Sequence, residues 1–180
     1  MNTHQLNSLT SHLHNFLGVF ASNEIPSIKL TEKPKCMIVN LDPSSKPGSH
    51  WIAFCVYKKE GKRFLEFFDS YGTKPPLSPV NSWWKMIHNP YRLQSPNSIV
   101  CGQYCLYFVK QRLKGRPFKI IIKTLKDKTH PDSFVRSYGK EMISKQHQQE
   151  KQTPRENQRC RKAPKCIKHC KTKWFIKCNG

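Results

Sequence analysis

The chain has 180 residues, with 32 Lys+Arg against 11 Asp+Glu and a formal net charge of +21. That length suits one compact domain, and that charge predicts polyanionic partners. At 37% hydrophobic and 11% aromatic residues the chain can build a modest core, so disorder throughout is excluded. No run approaches the ~20 apolar residues that a membrane-spanning helix needs, and the first thirty residues show no secretory signal pattern. A reducing, intracellular compartment and no membrane association are expected.

Charge and cysteine divide the chain. Residues 140–180 hold 12 Lys+Arg and 3 Asp+Glu, and KQHQQEKQTPRENQR, starting at Lys145, has no large apolar residue. Such a stretch cannot bury enough surface to offset its chain entropy and reads as a linker. The expected organisation is a body over 1–139 and a basic, Cys-containing, largely disordered tail over 140–180. Cys36, Cys55, Cys101 and Cys105 lie in the body, and Cys160, Cys166, Cys170 and Cys178 in the tail.

In chain order, Leu6, Leu9, Leu13, Phe16, Leu17 and Phe20 recur at three and four, which predicts a short amphipathic helix ended early by Gly18. CMIVNL reads as a buried strand. HWIAFCVY and RFLEFFDSY, separated by the polar KKEGK, read as a β-hairpin. TKPPLSPVN forbids regular structure, and CGQYCLYFVKQRLKG predicts a core helix beginning near Cys101 and stopped by Gly115 and Pro117. A further helix is expected over about 133–144. This order is α+β.

The hairpin makes a prediction about chemistry. With the turn centred between Lys59 and Glu60, His50 pairs with Asp69; with the turn one residue later, Asp69 pairs with Ile52. Side chains alternate along a strand, so in both registers His50 and Asp69 share a face. A carboxylate there can orient an imidazole and stabilise its charged form. The alternative is a solvated rim histidine beside an unrelated acid.

Cys101 follows the turn-forming SPNS and opens an apolar helix. Its sulfur should therefore meet the unpaired N–H groups and positive end of the helix, where thiolate is favoured. Its own N–H, with close approach permitted at Gly102, suits an oxyanion hole. Cys36, Cys55 and Cys105 read as small buried hydrophobes. Gln94, in RLQSPNS, is placed to donate an amide hydrogen to a developing oxyanion.

His50-Trp51, Asp69 with Tyr71-Gly72 two residues on, and Q-x-P-N-S-x-x-C-G from Gln94 to Gly102 resemble the adenovirus endopeptidases, the adenains. The resemblance extends to NFLGVFASNEIP and CMIVNLD and covers roughly residues 15–109. It implies an α+β fold with a central mixed sheet flanked by helices, shared with the proteases of SUMO-like proteins. It also implies nucleophile Cys101, general base His50, orienting acid Asp69 and oxyanion donor Gln94. Adenains commonly carry Glu at the position of Asp69, and their activating viral peptide can be disulfide-linked to a Cys between the acid and the Gln. This chain has no Cys between Asp69 and Gln94. These departures and the basic tail point to an adenain-like protease of a divergent DNA virus or a Polinton/Maverick element.

The resulting expectation is a monomeric cysteine endopeptidase that cleaves viral precursor polypeptides during particle maturation, in the virion and host nucleus. Its rivals are a SUMO- or ubiquitin-deconjugating protease and an inactive DNA-binding virion protein. The chemistry requires no cofactor, but the resemblance implies stimulation by DNA and by an activating viral peptide. Candidate phosphate-binding residues are Lys110, Arg112, Lys114, Arg116, Lys119 and Lys123, continued by Lys126 and Lys128, acting without sequence preference. In the tail, C-x5-C-x3-C-x7-C fits no common zinc spacing. Its four cysteines read as incidental thiols on a basic arm, with a zinc site as the alternative.

Overall fold

A computed structural model of the chain describes residues 1–75 and 84–152, with side chains to residue 149. The elements run α1 (Thr3–Thr10), β1 (Phe16–Ala21), β2 (Lys35–Asn40), β3 (Trp51–Lys59), β4 (Lys62–Phe68), β5 (Trp84–His88), α2 (Cys101–Leu113), α3 (Phe118–Lys126) and α4 (Pro131–Gln152). The five strands form one mixed sheet in the order β1-β2-β3-β4-β5. The outer pairs β1/β2 and β4/β5 are parallel, and β2/β3 and β3/β4 are antiparallel. The architecture is α+β, as expected. Residues 1–146 make one compact unit.

Alternation along the strands gives the sheet two apolar faces. One carries Val19, Cys36, Ile38, Ala53, Cys55 and Phe68 against α1 and α2, whose Leu6, Leu9, Tyr104, Cys105 and Phe108 are buried with them. The other carries Met37, Val39, Ile52, Phe54, Val56, Leu65 and Phe67, partly covered by Ile28 and Leu30 from the β1–β2 connection. Helix α2 is buried on nearly all sides, so it is the axle of the fold. Phe134, Val135, Tyr138, Met142 and Ile143, spaced as one helical face of α4, pack on the same core. Tyr107 receives Phe134 and Tyr138 edge-on.

The hairpin forms with its turn at Glu60-Gly61, both at positive φ (50° and 73°). That is the mirror-image turn matching strand twist. Lys59 pairs with Lys62 and Ala53 with Phe68, which selects the register that sets Ile52 opposite Asp69.

Three expectations are corrected. The helix expected to run from Leu6 until Gly18 ends at Thr10. Asn15 takes a positive φ of 66° and Phe16–Ala21 is a strand, its aromatic and β-branched residues serving both sheet faces. Cys36 and Cys55 are not free thiols: they sit directly opposite each other on β2 and β3 and form a disulfide. Helix α2 stops at Leu113, ahead of Gly115 and Pro117 as expected, and Pro117 then opens α3, a helix the sequence reading lacked, as proline does at helix starts. The polar stretch from Lys145, read as linker, is helical to Gln152, so α4 crosses the boundary placed at 139/140. β5 had no counterpart in the sequence reading. Cys160, Cys166, Cys170 and Cys178 lie outside the described residues, as does most of TKPPLSPVN.

Candidate active site

The site forms where the end of the hairpin meets the start of α2. His50 precedes β3 and Asp69 follows β4. The register brings His50 Nε2 to 2.7 Å from Asp69 Oδ1, with both side chains largely buried. That distance suits a charge-assisted bond. Asp69 also accepts the Tyr71 N–H at 2.9 Å on Oδ1 and the Thr73 hydroxyl on Oδ2. Its backbone is clamped by Asn89, whose Oδ1 accepts the Asp69 N–H (3.1 Å) and whose Nδ2 donates to the Asp69 carbonyl (2.6 Å). Asn89, 1% exposed, was missed in the sequence. It lies one residue beyond β5, a strand the sequence pattern did not disclose.

Cys101 is the first residue of α2. Val100, at the N-cap, supplies no side-chain bond, so first-turn N–H groups remain for other partners. His50 and the N–H groups of Trp51 and Gly102 act on the Cys101 sulfur and favour its thiolate. Since Asp69 occupies Nε2, Nδ1 is the imidazole nitrogen that faces the thiol. Burial works against both charged forms, and the partners outweigh it. The bonds to Asp69 and Cys101 raise His50 to about 9, while His50 and the two N–H groups hold the Cys101 thiol below its ordinary value. The arrangement therefore favours a thiolate–imidazolium pair. Cys105 is fully buried, and burial pushes its thiol well up, as expected for an inert core cysteine.

A cleft of about 390 Å³ opens over the pair, lined among others by Ser49, His50, Trp51, Tyr71, Ser98, Ile99 and Cys101. Its far wall is the chain start. Met1 and Thr3 line it, and the Trp51 indole donates to the Met1 carbonyl at 3.1 Å. Gly102 leaves room for no side chain without displacing neighbours, since a Cβ there would meet Met1 at 3.1 Å and Trp51 at 3.3 Å. Ile99 is 84% exposed at the cleft edge.

Gln94 lies behind the cleft wall, 1% exposed. Its Oε1 accepts the Ser70 hydroxyl at 2.7 Å. Its Nε2 donates to the Ser98 carbonyl and, at 3.3 Å, to the Tyr71 hydroxyl. The expected oxyanion donor is thus part of the site network, with its hydrogens turned to protein acceptors.

The cationic candidates separate. Lys110 is buried, donates to the Leu9 carbonyl and has its pKa lowered by burial and by Lys114 and Lys145. Arg112 forms a bidentate pair with buried Glu66 (2.6 and 3.0 Å). These two are structural and are withdrawn as phosphate-binding residues. Lys114, Arg116, Lys119, Lys123, Lys126 and Lys128 are exposed, with Lys123 paired to Asp127. Among the described residues no His, Cys, Asp and Glu cluster could hold a metal ion, and no helix is long and apolar enough to cross a membrane.

No family model matches the chain. A cysteine protease of African swine fever virus is 29% identical over 101 residues, which cover 48% of this chain and 37% of that protein. A protein of Acanthamoeba polyphaga mimivirus, named as a thiol protease, is 32% identical over 99 residues, covering 47% of this chain and 32% of its own length. The relatives are viral cysteine proteases. A second African swine fever virus isolate contributes a relative named as a SUMO-1 cysteine protease, 28% identical over 101 residues, or 48% of this chain and 37% of that protein. The crystal structure of the African swine fever virus protease aligns with a TM-score of 0.48 at 19% identity, covering 74% of this chain and 62% of that one. The chain spans about a third of the length of the curated relatives it matches.

Proposed function

We propose that the chain is a cysteine endopeptidase of the adenain type, acting on viral or virus-like precursor polypeptides during particle maturation in the virion and host nucleus. The observation that carries the reading is the 2.7 Å Asp69–His50 bond beside a Cys101 thiol that His50 holds low, at the uncapped start of α2. In this reading the Cys101 thiolate attacks a peptide carbonyl in the cleft. The Cys101 N–H stabilises the developing oxyanion, joined by the Gln94 amide once substrate draws it from the Ser98 carbonyl. The His50 imidazolium, held by Asp69, gives its proton to the leaving amine, and water then resolves the thioester. The viral cysteine protease relatives support the reaction class.

Stimulation by DNA is proposed for the exposed cations of α3 and its flanks, Lys114, Arg116, Lys119 and Lys123. An activating viral peptide, if used, would bind without a disulfide between the acid and Gln94. The printed name of one relative favours a second reading, removal of SUMO-like proteins. The deciding experiment incubates the purified chain, with and without duplex DNA, with a mixed peptide library and with a SUMO conjugate. Cleavage of internal peptide bonds that Cys101→Ala abolishes supports the endopeptidase, and cleavage confined to the conjugate supports the second reading. No thiol-dependent cleavage of either overturns both.

A further inference from the structure

Tyr71 stands between the base and the oxyanion side of the site. Its ring stacks on the His50 imidazole with centroids 4.8 Å apart and planes at 24°. Its N–H donates to the same Asp69 oxygen that holds His50. Its hydroxyl accepts from Gln94 Nε2 and donates to the Ser98 carbonyl, both at 3.3 Å. The Arg92 guanidinium lies over the ring at 5.4 Å. The next residue fixes this placement: Gly72 has φ +70°, and a Cβ there would lie 2.3 Å from the Tyr91 backbone carbon. No other residue type fits at 72, so the backbone carrying Tyr71 is locked against the 91–92 segment.

We propose that Tyr71 is a positioning residue that ties the two halves of the site together, its ring holding the His50 imidazole against Cys101 and its hydroxyl holding Gln94 and the Ser98 loop in register. This rests on the endopeptidase reading for its kinetic consequence alone. An aromatic face attracts a cation lying over it, so the stack favours the imidazolium over the neutral ring and, through it, the thiolate. The charged groups that face His50 are Asp69 from the end of β4 and Cys101 from α2. Arg92, from the segment before α2, shares the Tyr71 ring. The hydroxyl acts separately, because it is bonded to both the donor and the acceptor of the Gln94–Ser98 hydrogen bond.

The two roles come apart in two variants, read in the full chain. In Tyr71→Leu, which removes the ring, the His50 ring-proton NMR titration should move to lower pH. Alkylation of Cys101 by iodoacetamide at pH 7 should slow by about 3- to 10-fold. Tyr71→Phe, which keeps the ring, should restore both, while lowering kcat for peptide cleavage with KM unchanged through the loosened Gln94. Should Tyr71→Leu fail to fold by circular dichroism, Tyr71→Met takes its place as a ringless side chain of similar reach. An unchanged His50 titration and alkylation rate in the ringless variant overturns the ring's role, and a wild-type kcat in Tyr71→Phe overturns the hydroxyl's. The NMR and alkylation readouts need no substrate, so they judge the ring even if the chain cleaves no peptide.

Discussion

The first turn of α2 and the turn that follows it carry the same side chain in opposite chemical states. Cys101 and Cys105 lie four residues apart, and burial disfavours the thiolate at both. At Cys101 three donors override burial, namely the imidazole from before β3 and the N–H groups of Trp51 and Gly102. At Cys105 no such donor exists, and the charges of Cys101 and Asp69 add to the penalty. The helix end alone does not make a reactive thiol here. What the sheet delivers to that end does.

The largest expected effect is the plainest test of this contrast. Cys101→Ala should abolish peptide cleavage and remove the fast-alkylating site seen by mass spectrometry, with melting temperature unchanged. Cys105→Ala should keep cleavage but lose stability, since it empties a fully buried position. An active Cys101→Ala would reverse the two roles. Next in size, Asp69→Ala should reduce kcat/KM by about 10²- to 10⁴-fold, by freeing the base. Asp69→Glu should keep partial activity. Equal loss in both would deny the acid an orienting role.

Gln94→Ala should lower kcat by about 10²-fold with KM little changed, the signature of a missing oxyanion donor. An effect confined to KM would leave Gln94 as a wall residue. The pH dependence sharpens the comparison further. Because the Cys101 thiol is held low and His50 stays protonated to about 9, Cys101 should be alkylated rapidly from below the ordinary thiol range up to that pH. The rate should fall only on the acid side, as the thiolate gains a proton. His50→Ala should move that fall to higher pH, toward the behaviour of a simple thiol. The smallest effect belongs to the cationic surface. Removing one phosphate-binding ammonium, as in Lys119→Ala or Lys123→Ala, should reduce the slope of log DNA affinity against log salt by about 0.9. Lys110, buried on the Leu9 carbonyl, should not alter that slope when replaced by Met.

The site was more legible in the sequence than the frame around it. A hairpin with a Gly-bearing turn has few registers, and the period of two puts His50 and Asp69 together whether the turn centres before or after Glu60. Cys101 followed from turn residues running into an apolar helix. The frame was harder because its signals are degenerate. Phe16, Leu17 and Phe20 satisfy a helical spacing and a strand equally, and α1 has already ended at Thr10 when the positive φ of Asn15 leads the chain into β1. The Cys36–Cys55 pairing depends on the β2/β3 register, which no turn fixes, since the connection from Leu41 to His50 is long. Asn89 acts through residues distant in the chain and leaves no local pattern, and the Asp69…Tyr71-Gly72 motif did not disclose the bonds of the Tyr71 hydroxyl to Gln94 and Ser98. Lys110 and Arg112 look like surface cations by composition, yet the Leu9 carbonyl and the Glu66 carboxylate draw them inward.

The base and acid sit on one hairpin, and the nucleophile on a helix made only after β5. Until the sheet closes on α2, Cys101 is an ordinary thiol with a pKa near 8.5, slow to react at pH 6. A growing or misfolded chain is therefore harmless to its neighbours, and the chemistry switches on as assembly is completed. The same property makes the protein its own folding gauge. A thiol reagent applied briefly at a pH below the ordinary thiol range labels the molecules in which hairpin and helix have met faster than the rest, so the rapidly labelled fraction, followed during refolding, times the moment at which the two halves of the site join.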